Sequence, residues 1–254
     1  MATYKKRGYK PKTKVEQEVQ IEDDSTTAEV FNTLDESASK TEEWAVKNQK
    51  SILVTVGAIA VIVLGYLSYT KYILEPKQSE AMNEMFTAKN YFNEALDATE
   101  KDSLFNLALN GAEGKFGFID IIDNYGGTPA ANLSNYYAGV SYYNLKDYQK
   151  AISYLSDFSS DDIMLSALAK GKIGDAFAQL NQLDDALDYY EKAVAASDND
   201  FTTPMFLYKA ATVALDQGDA KKALAHFETI KNVYPKATEA SNIDALIGSA
   251  KSRL

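Results

Sequence analysis

Between Ser51 and Thr70 the chain carries no charged residue, and the centre of this run, Ile52 to Leu67, reads ILVTVGAIAVIVLGYL. Twenty helical residues at 1.5 Å each cover about 30 Å, the thickness of a bilayer's hydrocarbon core. A core helix in a soluble domain keeps a polar face, whereas this run is apolar around its whole circumference, so it reads as a membrane span. Lys47 and Lys50 precede it, Lys71 follows it, and Trp44, Tyr66, Tyr69 and Tyr72 stand near interface depth. The run begins some fifty residues into the chain, is longer than a signal peptide's apolar region and enters Lys71 and Glu75 without an A-x-A site. It is therefore expected to remain as an anchor.

Lysine and arginine counts set the expected orientation. The N-terminal flank holds Lys5, Lys6, Arg7, Lys10, Lys12, Lys14, Lys40, Lys47 and Lys50, against only Lys71 and Lys77 in the near C-terminal flank. The positive-inside rule then places residues 1–50 in the cytoplasm and residues 71–254 across the membrane. Met1–Lys14 is basic, interrupted by Gly8 and Pro11, and has too little apolar surface to build a core, so disorder is expected there. It reads as a topology signal or, with Tyr4 and Tyr9 among the charges, as a contact for anionic lipid or RNA. Further on, Val30, Phe31, Leu34, Ala38 and Ala45 recur at nearly helical spacing, as in a short amphipathic helix. Its acidic neighbours Glu29, Asp35, Glu36, Glu42 and Glu43 disfavour an anionic membrane, which points to docking on a partner protein.

Beyond Pro76 the pattern becomes one of amphipathic helices joined by short turns, and it repeats. Ala138-Gly139-x-x-Tyr142, Leu145-Lys-Asp147-Tyr148 and Ala151-x-x-x-Leu155 form one copy. Ile173-Gly174-x-x-Phe177, Leu183-Asp184-Asp185 and Ala186-x-x-x-Tyr190-x-x-Ala193 form the next. Ala210-Ala211-x-x-Ala214, Gly218-Asp219 and Ala223-x-x-x-Phe227, closed by Pro235, form a third. Gly139 to Gly174 and Ala151 to Ala186 are steps of 35 residues, while Ala186 to Ala223 is 37, so the loop around Ser197–Thr203 is expected to be longer. These copies resemble tetratricopeptide repeats, whose period is 34. Gly139, Gly174, Ala151, Ala186 and Ala223 would let paired helices approach, with Tyr142, Phe177, Leu155, Tyr190 and Phe227 filling the space between them. Asp147, Asp184 and Asp219 are placed to cap the second helix of each pair. Upstream, Gln78–Ala98 and Leu104–Asn124 read as a degenerate first pair, followed by Thr128 as cap and Pro129 in the first helical turn. Ser241–Leu254 reads as a terminal capping helix covering Phe227 and Ile230. The expected fold is all-α: one N-terminal transmembrane helix, then a stack of about four helix pairs plus a cap.

Chemistry is sparse. No cysteine is present, which excludes disulfides and thiolate sites, and His226 is the single histidine. Asp157, Asp161 and Asp162 lack the EF-hand pattern, and Gly111-Ala-Glu-Gly114 lacks the ending of a phosphate loop. Asn132-Leu-Ser134 matches a glycosylation sequon within an expected helix. A net charge of −10 argues against broad nucleic-acid binding. Neither an enzyme, a cofactor, a metal site nor a small-molecule substrate is expected. A partner groove is. Aligning the first helices on Gly139, Gly174 and Ala211 puts Tyr136, Val140, Tyr143 and Asn144 on its wall, followed by Leu168, Asp175 and Gln179. Met205, Tyr208, Thr212 and Asp216 complete it. Tyrosine suits binding because a rigid apolar face carries a hydrogen-bonding tip. The groove lacks the Lys and Asn set that clamps a C-terminal carboxylate in some repeat proteins, so an acidic-tail ligand is not expected there.

The order of parts, with the Tyr125-Gly-Gly-Thr-Pro129-Ala-Ala segment and the three later repeats, is similar to the bacterial YfgM-type ancillary subunits of the Sec translocon. The resemblance covers Ser51 to the C-terminus and is looser in the tail. It implies a bacterial inner-membrane protein with a periplasmic repeat domain, working beside SecYEG and a PpiD-type chaperone in the hand-over of exported chains. The alternative is a structural tether of another cell-envelope complex that never meets clients.

Overall fold

The computed structural model describes the backbone of residues 26–254 and the side chains from residue 44 onward. The chain divides into two units, Met1–Tyr69 and Thr70–Leu254. The expectations for Met1–Lys14 and for the apolar face of Val30–Ala45 concern residues or side chains outside those described, save Ala45 itself. In the first unit the described element is helix α1, Thr26–Tyr69. By length and composition it offers a membrane span, and no part of its apolar stretch is buried. Leu53, Val54, Ile59, Val61, Ile62 and Leu64 are all exposed. Each such side chain left in water forgoes roughly 1.5–3 kcal/mol of burial free energy, which a bilayer core supplies.

The second unit opens with a π-helical turn, Thr70–Leu74, and helix α2, Glu75–Asp97, whose first turn holds Pro76 where no intrahelical N–H is needed. Ala81, Met85, Ala88, Phe92 and Ala95 recur every three or four residues and form its buried face. Helix α3, Lys101–Asn110, and helix α4, Phe118–Asn124, pack beside it. The sequence suggested one helix over Leu104–Asn124, and here the structure corrects it. Gly111, Glu113 and Gly114 adopt φ of +75°, +54° and +77°, and Ala112 bridges Lys115 in a tight reversal. A Cβ on Gly117 would run into the Leu109 carbonyl, so the two strands of the turn touch backbone to backbone. Gly111, Gly114 and Gly117 make the reversal that ends α3. Four rings then fill the module: Phe92 meets Phe105, Phe118 and Tyr137 edge-on at 5.8, 6.2 and 5.0 Å, and Phe118 stacks on Tyr137.

Three helix hairpins follow. They are α5 (Pro129–Asn144) with α6 (Tyr148–Ser156), α7 (Ile163–Gln179) with α8 (Leu183–Ala196), and α9 (Thr202–Asp216) with α10 (Ala220–Val233). Each turn is built the same way. Lys146, Asn181 and Gly218 have φ of +64°, +58° and +83°. The following N–H groups, on Asp147, Gln182 and Asp219, reach back to the carbonyls of Tyr142, Phe177 and Ala214 at 2.8–2.9 Å. That is the Schellman closure, and it satisfies carbonyls that the helix end would otherwise orphan. Inside the hairpins, a Cβ on Gly139 would meet Leu155 Cγ at 2.5 Å and one on Gly174 would meet the Tyr190 ring at 2.7 Å. The opposing Ala151, Ala186 and Ala223 are fully buried, as the small-residue spacing anticipates.

Caps follow the sequence with one exception. Thr128 Oγ1 accepts from Ala131 N, Asp147 from Lys150 N and Asp219 from Lys222 N. Asp184 does not cap α8. Counted back from the aligned alanines, the cap position of this hairpin is Gln182, which makes no capping bond, and the carboxylate of Asp184 accepts from Gln217 instead. The longer loop is held by its own side chains: Asn199 Oδ1 accepts from the N–H groups of Phe201 and Thr202, and Thr203 Oγ1 donates to Ser197 O. A 3₁₀ turn, Thr238–Ala240, leads to α11, Ile243–Lys251, which packs on α10 and closes the core around Phe227 and Ile230.

Candidate partner-binding face

The first helices of the hairpins, α5, α7 and α9, present equivalent positions counted from Gly139, Gly174 and Ala211. On this shared face Tyr143 lies edge-on to Tyr148, with centroids 5.5 Å apart, and Lys172 Nζ stands 4.4 Å above its ring. Lys172 also pairs with Asp175 at 3.2 Å. From the next hairpin, Lys209 reaches the same carboxylate at 2.6 Å, and Tyr190 OH donates to it at 2.9 Å. Gln179 joins the edge of the network by accepting from Tyr148 OH at 3.4 Å. Two ammonium groups thus share one carboxylate, which leaves the seam one positive charge in excess. Burial, and then the negative Asp175, raise the Tyr143 hydroxyl above its ordinary range; for Tyr190 the Asp175 hydrogen bond adds to both. Both phenols therefore stay protonated, and Tyr190 acts as a donor.

A second region lies toward the C-terminal end of the same face. Met205 and Tyr208 border a cavity of about 470 Å³ with Leu246, Asn242 and Glu239. Tyr208 is exposed, with its ring edge-on to Phe227 at 6.2 Å. Thr212, exposed, donates its hydroxyl to Tyr208 O, and Asp216 is exposed one turn further on.

Other candidates are spent on packing. Tyr136 is held between Phe158 and Tyr137 at 5.3 and 5.8 Å, and burial raises its hydroxyl. With Val140 it belongs to the cluster of Leu155, Ala169 and Ile173, so these two join α5 to α7 instead of facing a ligand. Leu168 is half-buried against the core of the next hairpin, and Asn144 donates to Val140 O within its own helix. The residues that the sequence reading passed over are Lys172 and Lys209. Each stands two positions before the aligned small residue, and that shared offset was the signal available. Leu246 and Asn242 had none, because they come from the terminal helix.

Among the described residues no group of three or more His, Cys, Asp and Glu side chains is placed to hold a metal ion. His226 lies 3.3 Å from Glu191, which Lys222 also contacts. Asn132 of the sequon clasps the backbone of Ser159 with both ends of its amide, at 2.7 and 3.0 Å.

Two family models match the chain, both described as tetratricopeptide repeat, over residues 139–201 and 206–237. No curated protein matches it at a significant level. The matched residues span most of the three hairpins and leave out α2–α4 and α11.

Proposed function

We propose that this tetratricopeptide-repeat protein is a single-pass membrane scaffold that receives a protein partner on the shared face of α5, α7 and α9. The observation that carries this reading is the pairing of the exposed Tyr208 and the half-buried Met205 with an adjoining cavity of about 470 Å³ beside a fixed polar seam. A rigid aromatic with a polar tip next to apolar lining is the composition of binding hot spots. Repeat proteins of this kind work by binding, and the reading is not that of an enzyme.

The lysine distribution supports a cytoplasmic N-terminus and a repeat domain on the far side of the membrane. The resemblance to translocon-associated subunits supports placing the domain in the bacterial periplasm, beside SecYEG and a PpiD-type chaperone, where the face would help pass on exported chains. A structural tether of another envelope complex is the second reading, and the Lys172–Asp175–Lys209 seam favours it. The Lys209–Asp175 ion pair ties successive repeats together, which stiffens a spacer.

The test is a gentle-detergent pull-down of the full-length protein from native membranes, followed by mass spectrometry. Sec channel subunits recovered with a membrane-anchored chaperone, and lost with Met205→Ala/Tyr208→Ala, support the first reading. Another envelope complex, retained by that variant, supports the tether.

A further inference from the structure

Side-chain contacts line up one edge of the repeat unit. At the start of α2, Lys77 Nζ donates to Gly126 O at 3.3 Å, and Gln78 Oε1 accepts from Ala130 N of α5 at 2.9 Å. Asn132, near the start of α5, clasps Ser159 in the loop before α7. Ile163, which opens α7, borders a shallow depression with Ala195 and Ala196 at the end of α8. Tyr234, just past α10, donates its hydroxyl to Asp198 in the loop before α9 at 2.9 Å. The starts of α2, α5, α7 and α9 therefore lie side by side. The hairpin turns at Lys146, Asn181 and Gly218 form the opposite edge.

The two edges differ in what they expose. On the first, Ile163, Met164, Phe201 and Val233 are 44–63% exposed. On the opposite edge, among the described residues, the turns Leu145–Asp147, Leu180–Gln182 and Gln217–Asp219 expose no large apolar side chain. Phe201 is displayed by a loop that is already fixed: Asn199 Oδ1 accepts from the N–H groups of Phe201 and Thr202 at 2.9 and 2.7 Å.

The occupant follows from the tether. The chain enters the repeat unit on this edge, since Glu75 opens α2 only five residues after the uncharged run ends at Thr70. Even fully extended, five residues reach no more than about 18 Å. With α1 as a membrane span, the start of α2 and the loops beside it stay near the bilayer surface. The edge is also acidic, with Asp157, Asp161, Asp162, Asp198 and Asp200 in its loops. Anionic lipid repels those charges, whereas zwitterionic headgroups present a cationic group outermost.

We propose that this edge rests on a zwitterionic lipid surface, with Ile163, Met164, Phe201 and Val233 at headgroup depth. Apolar and aromatic side chains at that depth leave water without entering the hydrocarbon core. The inference rests on α1 being a membrane span and not on the partner face of α5, α7 and α9.

The test uses full-length protein in phosphatidylcholine nanodiscs that contain lipid with a nitroxide on its headgroup. Because the chain lacks cysteine, each single-cysteine variant carries one bimane fluorophore. Phe201→Cys and Val233→Cys report on this edge, and Asp185→Cys and Lys221→Cys on the opposite one. Ile62→Cys, read with an acyl-chain nitroxide, reports on α1. The 15 residues of α9 separate the edges by about 22 Å, beyond the reach of contact quenching. Quenching is expected at the Phe201 and Val233 positions and not at the Asp185 and Lys221 positions. Phosphatidylglycerol added at low salt weakens it, and salt restores it. Circular dichroism reports whether each variant is folded, and either label of an edge decides if the other variant is not. Equal quenching on both edges overturns the proposal, as does quenching that grows with phosphatidylglycerol. Quenching at the Ile62 position alone overturns it too, and leaves the edge to a protein partner. Absence of quenching there as well overturns the span reading and this inference with it.

Discussion

Lys209 of α9 reaches back across one repeat to Asp175 of α7, Nζ to Oδ1 2.6 Å, and there meets the hydroxyl of Tyr190 and the second cation, Lys172. Asp175 is 13% exposed in its side chain, against 34% for Lys209, so the carboxylate is the buried member of the network. Removing it leaves two ammonium groups facing each other. Asp175→Ala is expected to cost about 2 kcal/mol, more than Lys209→Met, whose loss leaves Asp175 still paired with Lys172. Urea unfolding of the two single variants and the double variant measures the coupling, and additive effects would show that the pair does not interact.

Gly171 is a close contact between successive hairpins. A Cβ there would overlap the ring of Phe206, which is itself buried. Gly171→Ala forces the α7–α9 contact apart and should destabilise by about 1–3 kcal/mol, although alanine favours the helix by about 1 kcal/mol. An unchanged thermal midpoint would mean that the hairpins adjust without strain.

Lys146 occupies the left-handed position that glycine holds in the third hairpin at Gly218. Lys146→Gly removes a strain of about 1 kcal/mol and is expected to raise Tm by a few degrees. The same change at Asn181 gains less, because asparagine tolerates that conformation. Calorimetry on the two variants compares them directly.

Alkaline pH acts through the buried phenols. Tyr190 and Tyr143 are raised above their ordinary 10.0, first by burial and then by the charge of Asp175. Below pH 10 both states are protonated and nothing is lost. Above it the unfolded chain releases protons that the folded chain retains, so stability falls as pH rises. Tm measured from pH 8 to 11 should decline past pH 10, and Tyr190→Phe should make that decline shallower.

Two tyrosines placed on one wall by sequence spacing separate on substitution. Tyr136 belongs to the α5–α7 packing, and Tyr136→Ala is expected to cost about 2 kcal/mol. Tyr208 is exposed, so Tyr208→Ala should cost less than about 1 kcal/mol while reducing partner recovery in the pull-down. The reverse order would move the binding face away from Tyr208.

The sequence by itself determined the elements that depend on local or periodic chemistry. The uncharged run of α1, the helix pairs, Thr128, Asp147 and Asp219 as caps and the close approach at Gly139 and Gly174 all follow from spacing and residue type. It erred where the signal was a one- or two-residue offset, as at Asp184, or where glycines mark a crossing of backbones, as from Gly111 to Gly117. The spacing also named Tyr143 and Asp175, which the structure places on either side of Lys172, and Met205 and Tyr208, which border the cavity of the second region. Only the tertiary structure decided that Lys172 and Lys209 converge on Asp175, that Tyr136 and Val140 are packing, and that α11 supplies a wall of the cavity. Those relationships join residues of different helices, and helical periodicity fixes which side of a helix a residue occupies without fixing what lies opposite.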